Sequence, residues 1–419
     1  MKIIMIPMKK TNTVAMGFFV KAGSRNEFAE NNGIAHFLEH MMFKGTSNRS
    51  VSELFNELDS INATYNAVTT TQYTYYYVSG FDIHMKKLLD IIIDMYINPI
   101  FLTKQINLER KVIMEEMRIR MDSPLMKLYT VLHKILFPNT SLSLSTIGTP
   151  QTVDSFKKSD FVEFRSGLYK PSNTVFVISG NFNPILTYKL IFPSLCALTN
   201  SKIQPKLYAD EGPIILQKMH NQLEPYVYIK KNDFFQQAYV LMAFPMYDLY
   251  KTKYAPINIL SDLLTLGFSS RLIQSLREKN GITYSSASYP VVYSDCGLFF
   301  IQMVLNPTSL VQGLKILLKE LKKIKNELMS PEEMKRLIGI AISEKRNALS
   351  SPMDVLTYFG LNFISDRTFK PDLNKDIEEL KNMKRSDVKD VAGEIFLRDK
   401  INLFIYGNVE QENFDFLSL

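Results

Sequence analysis

The sequence predicts an α+β protein built from two similar lobes. Its 419 residues are about two to three times the length of an ordinary domain, which holds about 100 to 200 residues. An apolar fraction of 46% with 22% charged residues is typical of a folded globular chain. Strand-like and helical patterns alternate along the first half, and the second half repeats their order. Together these observations indicate a duplicated unit.

In the first half, short runs of β-branched and aromatic residues bounded by Gly, Asn or Pro predict strands. Between them, Leu, Ile, Phe and Met at spacings of three and four predict helices packed on one face of a sheet. The predicted strands are 12–21, 73–78 and 174–179. The predicted helices are 34–44, 51–61, 84–96 and 103–121.

The second half follows the same plan. Its predicted strands are 226–230, 238–243, 284–289 and 297–305. Its predicted helices are 254–264, 270–279, 309–328 and 331–349. The two halves therefore present matching series of elements, as two copies of one domain would.

Direct self-similarity supports this duplication. A shift of 218 positions (272 − 54) places 54–62 on 272–280, and a shift of 228 (349 − 121) places 121–124 on 349–352. A period of about 220 residues is too long for a solenoid repeat and fits two lobes. We therefore predict a first lobe at 1–203, a linker with Pro and Gly at 204–224, and a second lobe at 225–419.

Composition argues against several classes of function. The net charge of +7 is spread among interspersed acidic and basic residues, so we expect no nucleic-acid partner. Cys196 and Cys296 give neither a disulfide framework nor a paired-cysteine zinc site. Apolar runs are too short to predict a membrane span. The first residues resemble neither a secretory signal nor a transit peptide, so we expect a cytoplasmic or organelle-matrix protein.

A histidine pair with an adjacent carboxylate marks the predicted metal centre. His36 and His40 lie four apart in a predicted helix and therefore project from one face, with Glu39 beside them. Zinc favours nitrogen ligands, and a carboxylate next to a catalytic zinc can take a proton from water. Two histidines at this spacing are by themselves more often ordinary helix residues, so a third ligand decides between the interpretations.

Two glutamates of a later helix are candidates for that third ligand. Glu109 and Glu116 are seven apart, about 700° of helical rotation, and so lie on nearly the same face. Val112 and Ile113 share it, and carboxylates within an apolar stripe are costly unless paired or bound to a metal. We predict Glu116 as the ligand and expect Glu109 to orient a ligand histidine by accepting its other ring N–H. The alternative is a solvated, charged helix face.

Further segments accompany these residues in a fixed order. HFLEH at 36–40 is an H-x-x-E-H sequence, the signature of inverted zinc metallopeptidases, and Glu116 follows it by 76 positions (116 − 40). The others are AGSR at 22–25, FKGT at 43–46, Asn66-Ala67 with Thr69, SSRL at 269–272 and LREKNGITY at 276–284. Over nearly its whole length the chain thus resembles the pitrilysin and mitochondrial processing peptidase family of inverted zinc metallopeptidases.

That resemblance implies a clamshell of two lobes, each a mostly antiparallel sheet with helices on one face. It implies one Zn²⁺ per chain, held by His36, His40 and Glu116, with Glu39 as the general base. The 218-position shift places Tyr254–Asn258 of the second lobe on HFLEH, which leaves no ligands there. We therefore expect only the first lobe to be catalytic.

The resemblance also implies roles in substrate handling. Arg277 and Tyr284 match a pair that reaches toward the substrate carbonyl, where a cationic or hydroxyl donor stabilises a developing oxyanion. Asn66, Ala67 and Thr69 match an edge strand to which an extended peptide adds. The alternatives are a surface arginine and an ordinary polar strand.

The resulting hypothesis is a zinc-dependent endopeptidase that cleaves short or unfolded peptides. Two rivals are a non-catalytic structural or binding subunit of the same family and a catalytic subunit that needs a different partner chain. Family members of this length commonly pair, so the resemblance implies a homodimer or a heterodimer with a related chain.

Overall fold

Two five-stranded mixed sheets organise the fold. The computed structural model describes residues 1–196, 198, 222–246, 249–410 and 414–419. Unit 1 comprises the described residues of Met1–Ile119, Asn139–Ala209 and Lys345–Pro371, and unit 2 those of Arg120–Pro138, Asp210–Glu344 and Asp372–Leu419. Most of the predicted linker 204–224 lies outside the described residues.

The sheet of unit 1 contains the first five strands. They are β1 (Lys2–Pro7), β2 (Thr13–Val20), β3 (Thr64–Thr69), β4 (Thr74–Phe81) and β5 (Thr174–Gly180). Their order is β1-β5-β2-β4-β3, with β1 and β5 parallel and the other neighbours antiparallel. The strand β3 is therefore an edge of this sheet.

The sheet of unit 2 has the same plan. Its strands are β6 (Tyr226–Lys231), β7 (Ala238–Pro245), β8 (Thr283–Val292), β9 (Gly297–Leu305) and β10 (Asn402–Gly407). Their order is β6-β10-β7-β9-β8, and again one edge pair is parallel while the rest are antiparallel. The predicted α+β class with two sheet-and-helix lobes is confirmed. The predicted clamshell closure stays a prediction.

Helices connect the strands in both halves. Those of the first half are α1 (Ile34–Met41), α2 (Val51–Ser60), α3 (Met85–Ile97), α4 (Thr103–Asp122), α5 (Pro124–Leu136), α6 (Pro150–Ser155), α7 (Lys158–Leu168) and α8 (Pro184–Cys196). Those of the second half are α9 (Leu249–Thr265), α10 (Leu310–Asn326), α11 (Pro331–Asn347), α12 (Pro352–Ser365), α13 (Leu373–Asn382) and α14 (Arg385–Ile395). No helix in these described ranges combines the length and the apolar character needed to cross a bilayer.

The helices α5 and α12 begin at corresponding positions of the sequence repeat. Neither belongs to the unit that its position in the chain predicts. The sequence repeat at 121–124 and 349–352 marks their starts, where Ser123 and Ser351 cap α5 and α12. Contiguous lobes would place α5 in the first unit and α12 in the second, but α5 belongs to unit 2 and α12 to unit 1. The predicted lobe boundaries therefore require correction at these two helices.

Packing explains the assignment of α12. Its Leu356 and Phe363 form a buried cluster with Phe19 and Val177 of the unit 1 sheet. Gly360 lies so close to this sheet that a Cβ atom there would be 2.2 Å from the Phe19 ring. The helices α1, α3 and α7 contribute to the core on the other face. Helices thus cover both faces of this sheet, where the sequence predicted one.

Candidate active site

The helix α1 carries the whole HFLEH motif and is anchored by its apolar residues. Phe37 packs edge-on against Phe161, with ring centroids 4.9 Å apart. Gly33 precedes the helix with a φ of +96°, a left-handed conformation that favours glycine. The four-residue spacing places His36 and His40 on one side, with ring centroids 4.7 Å apart.

The third predicted ligand lies beside both histidines. Oε2 of Glu116 on α4 is 3.6 Å from Nε2 of His36 and 3.8 Å from Nε2 of His40. One ligand atom from each of the three residues lies within 4.8 Å of the other two. Across the described ranges, this is the single group of at least three His, Cys, Asp or Glu residues that could hold a metal ion.

These donor atoms fit a zinc ion. Two imidazole nitrogens and one carboxylate oxygen are ligands that zinc prefers, and catalytic sites use three protein ligands with an open fourth position. Ligand atoms about 2.1 Å from a tetrahedral ion lie about 3.4 Å from one another. The Glu116 oxygen is within a few tenths of an ångström of that separation from both histidines.

Glu109 connects His40 to a lysine that follows the helix. Its Oε1 is 2.8 Å from Nδ1 of His40, and its Oε2 accepts a hydrogen bond from Nζ of Lys44 at 2.6 Å. Burial by itself raises the pKa of Glu109, but the hydrogen bonds from His40 and Lys44 outweigh burial and leave the pKa below its ordinary value. An ionised Glu109 favours the tautomer of His40 with the proton on Nδ1, so Nε2 is free to bind metal.

Glu39 lies next to the three ligands and is half-buried. Burial raises its pKa above the ordinary value, and the charge of Glu116 adds to the rise. Hydrogen bonds from the side chain and backbone of Thr69, together with the charge of His40, oppose the rise without cancelling it. A carboxylate with a raised pKa is a stronger base than an ordinary exposed glutamate.

The predicted substrate strand is an exposed edge of the unit 1 sheet. Asn66, Ala67 and Thr69 all lie on β3, which pairs with β4 on one side. Oδ1 of Asn66 accepts a hydrogen bond from the Ala67 N–H at 2.8 Å, and Thr69 at the end of the strand contacts Glu39. The edge strand therefore leads directly to the predicted general base.

Arg277 and Tyr284 lie in irregular backbone of unit 2. Residues Ile273–Glu278 form a π-helix, where the sequence predicted an ordinary helix over 270–279. Tyr284 coincides with a register shift in the pairing of β8 with β9 and is 81% exposed. The Arg277 guanidinium lies 5.9 Å from the centre of the Tyr284 ring. The structure thus brings these two residues together within their unit.

Two details of the site differ from the predictions made from the sequence. The buried residues of α4 are Ile106, Glu109, Ile113 and Met117, whereas Val112 is 51% exposed. Glu109 is therefore inside the buried stripe, and Glu116, with a side chain 31% exposed, lies at its margin. The sequence-based predictions do not include the contact of Lys44 with Glu109, although the position of Lys44 four residues after His40 is a signal for a contact near the same site.

Removing the Lys44 charge should weaken the metal centre. In Lys44→Met, Glu109 loses the ammonium group that helps to keep it ionised, and we expect zinc affinity to fall about tenfold. Competition titration against a chromophoric chelator measures this change. Lys111→Met is the control because Lys111 is exposed on the same helix as Glu109; equal affinities in both variants would contradict the role of Lys44.

Comparison with known proteins agrees with this geometry. A family model described as insulinase (peptidase family M16) matches residues 2–150, which include HFLEH and Glu116. A model described as the peptidase M16 inactive domain matches residues 155–340. A Rickettsia bellii protein named an uncharacterized zinc protease is 30% identical over 405 residues, which cover 94% of this chain and 92% of that protein. The chain belongs to peptidase family M16.

Other relatives and solved structures extend along nearly all of this M16 chain. A Bacillus subtilis protein, also named an uncharacterized zinc protease, is 27% identical over 401 residues, covering 95% of this chain and 94% of the relative. A protease from Helicobacter pylori shares the fold with a TM-score of 0.86 at 22% identity, covering 96% of both chains. A Pseudomonas fluorescens structure described as a peptidase M16 inactive domain has the same TM-score at 14% identity, covering 98% of this chain and 97% of that one.

Proposed function

We propose that this M16 chain is a zinc-dependent endopeptidase that cleaves short or unfolded peptides. The observation that carries the proposal is the grouping of His36, His40 and Glu116 within 4.8 Å, with Glu39 alongside. Relatives that span the same length are named zinc proteases, which supports both the metal and the class of reaction.

In the proposed hydrolysis, the metal ligands, Glu39 and Glu109 have different roles. When bound by His36, His40 and Glu116, zinc supplies a Lewis acid that polarises the scissile carbonyl and lowers the pKa of water. Glu39 takes the proton of the attacking water and passes it to the leaving amine. Its raised pKa suits this exchange because it reduces the free-energy gap between the two protonation states. Glu109 holds His40 in the orientation and tautomer that binding requires.

We further propose that substrate adds to β3 as a sixth strand. Backbone hydrogen bonds to a strand edge supply affinity without demanding a particular sequence, and β3 ends at the contact between Thr69 and Glu39. A peptide on this edge competes with Asn66 for the Ala67 N–H. Its backbone would then run toward the general base.

Proline in place of Ala67 tests this binding mode. Proline removes one backbone donor and is tolerated at sheet edges, and one lost hydrogen bond of about 1.4 kcal/mol corresponds to about a tenfold rise in KM. Steady-state kinetics on a fluorogenic peptide measures KM, while zinc affinity and the unfolding midpoint serve as controls. An unchanged KM in a stable, zinc-binding variant would exclude strand addition at Ala67.

Arg277 and Tyr284 are proposed to donate to the substrate carbonyl oxygen. The π-helix and the strand irregularity that carry them support the proposal, since such features are common at functional sites. Loss of one oxyanion donor costs about a hundredfold or more in kcat. We therefore expect Arg277→Met to lower kcat about a hundredfold with zinc affinity unchanged, as measured by single-turnover cleavage. A normal kcat would remove Arg277 from the mechanism.

Cut mapping separates the proposal from its rivals. The purified chain is incubated with a pool of unstructured peptides, with and without a zinc chelator, and products are identified by mass spectrometry. Cuts that vanish with chelator and return with zinc support the endopeptidase. If the zinc-bound chain produces no cuts, a non-catalytic subunit is favoured. If cuts are produced only after a second polypeptide is added, a partner-dependent enzyme is favoured. The dimer stays a prediction.

A further inference from the structure

Glu27 is a fully buried carboxylate outside the set of metal ligands. Its Oε2 accepts hydrogen bonds from Nδ2 of Asn32 and from the Gly33 N–H, and its Oε1 accepts one from the Ala35 N–H. All three distances are 2.8 Å. Two of the donors are backbone groups at the start of α1.

These bonds satisfy groups that a helix cannot satisfy by itself. The first N–H groups of a helix lack partners within it, and a negative charge near its amino end interacts favourably with the helix dipole. Ala35 directly precedes His36 in the chain. The bond to Ala35 therefore fixes the backbone of the turn that carries the first metal ligand.

The same segment also contacts residues 145–152, which comprise the loop before α6 and the first turn of α6. Nδ2 of Asn32 also donates to the carbonyl oxygen of Ser145 at 2.7 Å, and Oγ1 of Thr152 donates to the carbonyl oxygen of Asn32 at 2.7 Å. A Cβ atom on Gly33 would lie 2.7 Å from Cα of Gly148. Glu27 and residues 145–152 thus fix the start of α1 between them.

Burial opposes ionisation of this carboxyl group. It raises the pKa of Glu27 to about 7, and the three hydrogen bonds only partly offset it. Both carboxylate oxygens accept from N–H donors, so the observed arrangement fits the ionised form. At pH 8 that form predominates.

We propose that Glu27 is a positioning residue of the metal centre, which sets the axial position and rotation of α1 and thereby the distances from His36 and His40 to Glu116. The proposal rests on the proposed zinc site and adds a residue that does not touch it. Glu27 acts through three hydrogen bonds to the segment that begins the helix.

Glu27→Gln is the informative variant because it keeps the shape of the side chain. Glutamine replaces one acceptor oxygen with an amide that donates, so at least one of the three N–H groups loses its partner. Asp94→Asn is the matched control, since Asp94 is also a buried carboxylate of unit 1 and accepts hydrogen bonds from Thr46 and Asn48. Both variants should lower the unfolding temperature.

Three readouts at pH 8 separate positioning from general destabilisation. In the metal-free full chain, hydrogen exchange of the α1 amides should become at least tenfold faster in Glu27→Gln and stay within twofold in Asp94→Asn. Zinc affinity should fall about tenfold in Glu27→Gln alone. The visible absorption of the Co²⁺-loaded protein should shift in the same variant, because it reports the geometry of the ligands.

The outcomes distinguish this proposal from the proposed function. Unchanged exchange, zinc affinity and Co²⁺ spectrum in Glu27→Gln would overturn the positioning role while leaving the zinc site intact. Equal losses in Glu27→Gln and Asp94→Asn would also overturn it, because they would show general destabilisation. An unmodified chain that binds no zinc would overturn the zinc site and the positioning role together.

Discussion

Glu39→Gln should lose peptide cleavage while it keeps zinc. The amide cannot take a proton from water, and general base catalysis contributes about a hundredfold to ten-thousandfold, so we expect kcat/KM to fall by about a thousandfold. Glutamine has nearly the same shape as glutamate and Glu39 is not one of the three grouped ligands. Zinc content and cleavage rate are measured on the same preparation.

The test of Glu39→Gln requires that cleavage rate and zinc content change independently. Loss of cleavage with zinc retained assigns the proton transfer to Glu39. Glu30→Gln is a suitable control because Glu30 is exposed and is not among the site residues. Cleavage by Glu39→Gln at the rate of the unmodified chain would contradict the mechanism.

Glu116→Gln should lose zinc itself. The substitution replaces a charged oxygen ligand with a neutral amide, a poorer partner for Zn²⁺ than carboxylate, so we expect zinc affinity to fall by more than about a hundredfold. Even substitutions that act on ligands indirectly typically cost about ten- to a hundredfold. Isothermal titration of the metal-free chain measures the affinity.

The adjacent residue provides a control on the same helix. Glu115 is exposed and ion-paired with Arg118, so Glu115→Gln removes the same charge from nearly the same position without touching the site. We expect its zinc affinity to stay within about twofold. Equal loss of affinity in the two variants would show that net charge rather than ligation governs binding.

The two histidines of the candidate site could be predicted because their spacing is local. His36 and His40 are one helical turn apart, and helix geometry places such residues on one face whatever the tertiary structure. Glu116 is on another helix, and two observations predict it as a ligand: the cost of a carboxylate in an apolar stripe and the family resemblance. Helical spacing alone places Val112 on the buried face as well, but Val112 is 51% exposed, so spacing does not locate the edge of the buried stripe.

Other features depend on contacts between distant segments. The assignment of α5 to unit 2 and of α12 to unit 1 follows from how their side chains pack on a sheet, which the helical spacing of their apolar residues does not specify. Glu27 precedes its helix in a stretch without helical periodicity, so the sequence gives no sign that its carboxylate bonds to Ala35. The π-helix at Ile273–Glu278 was likewise predicted as an ordinary helix, since periodicity does not resolve one wide turn.

The most direct test of a zinc endopeptidase is the dependence of cleavage on zinc stoichiometry. The metal-free chain is titrated with zinc, and the initial rate of cleavage of an unstructured peptide is recorded at each step. We predict no cleavage without metal, a linear rise in rate with added zinc, and saturation at one zinc per chain, as expected for one ion held by His36, His40 and Glu116. A cleavage rate that does not change with added zinc would contradict the proposal. So would the absence of cleavage when every chain has bound one zinc ion.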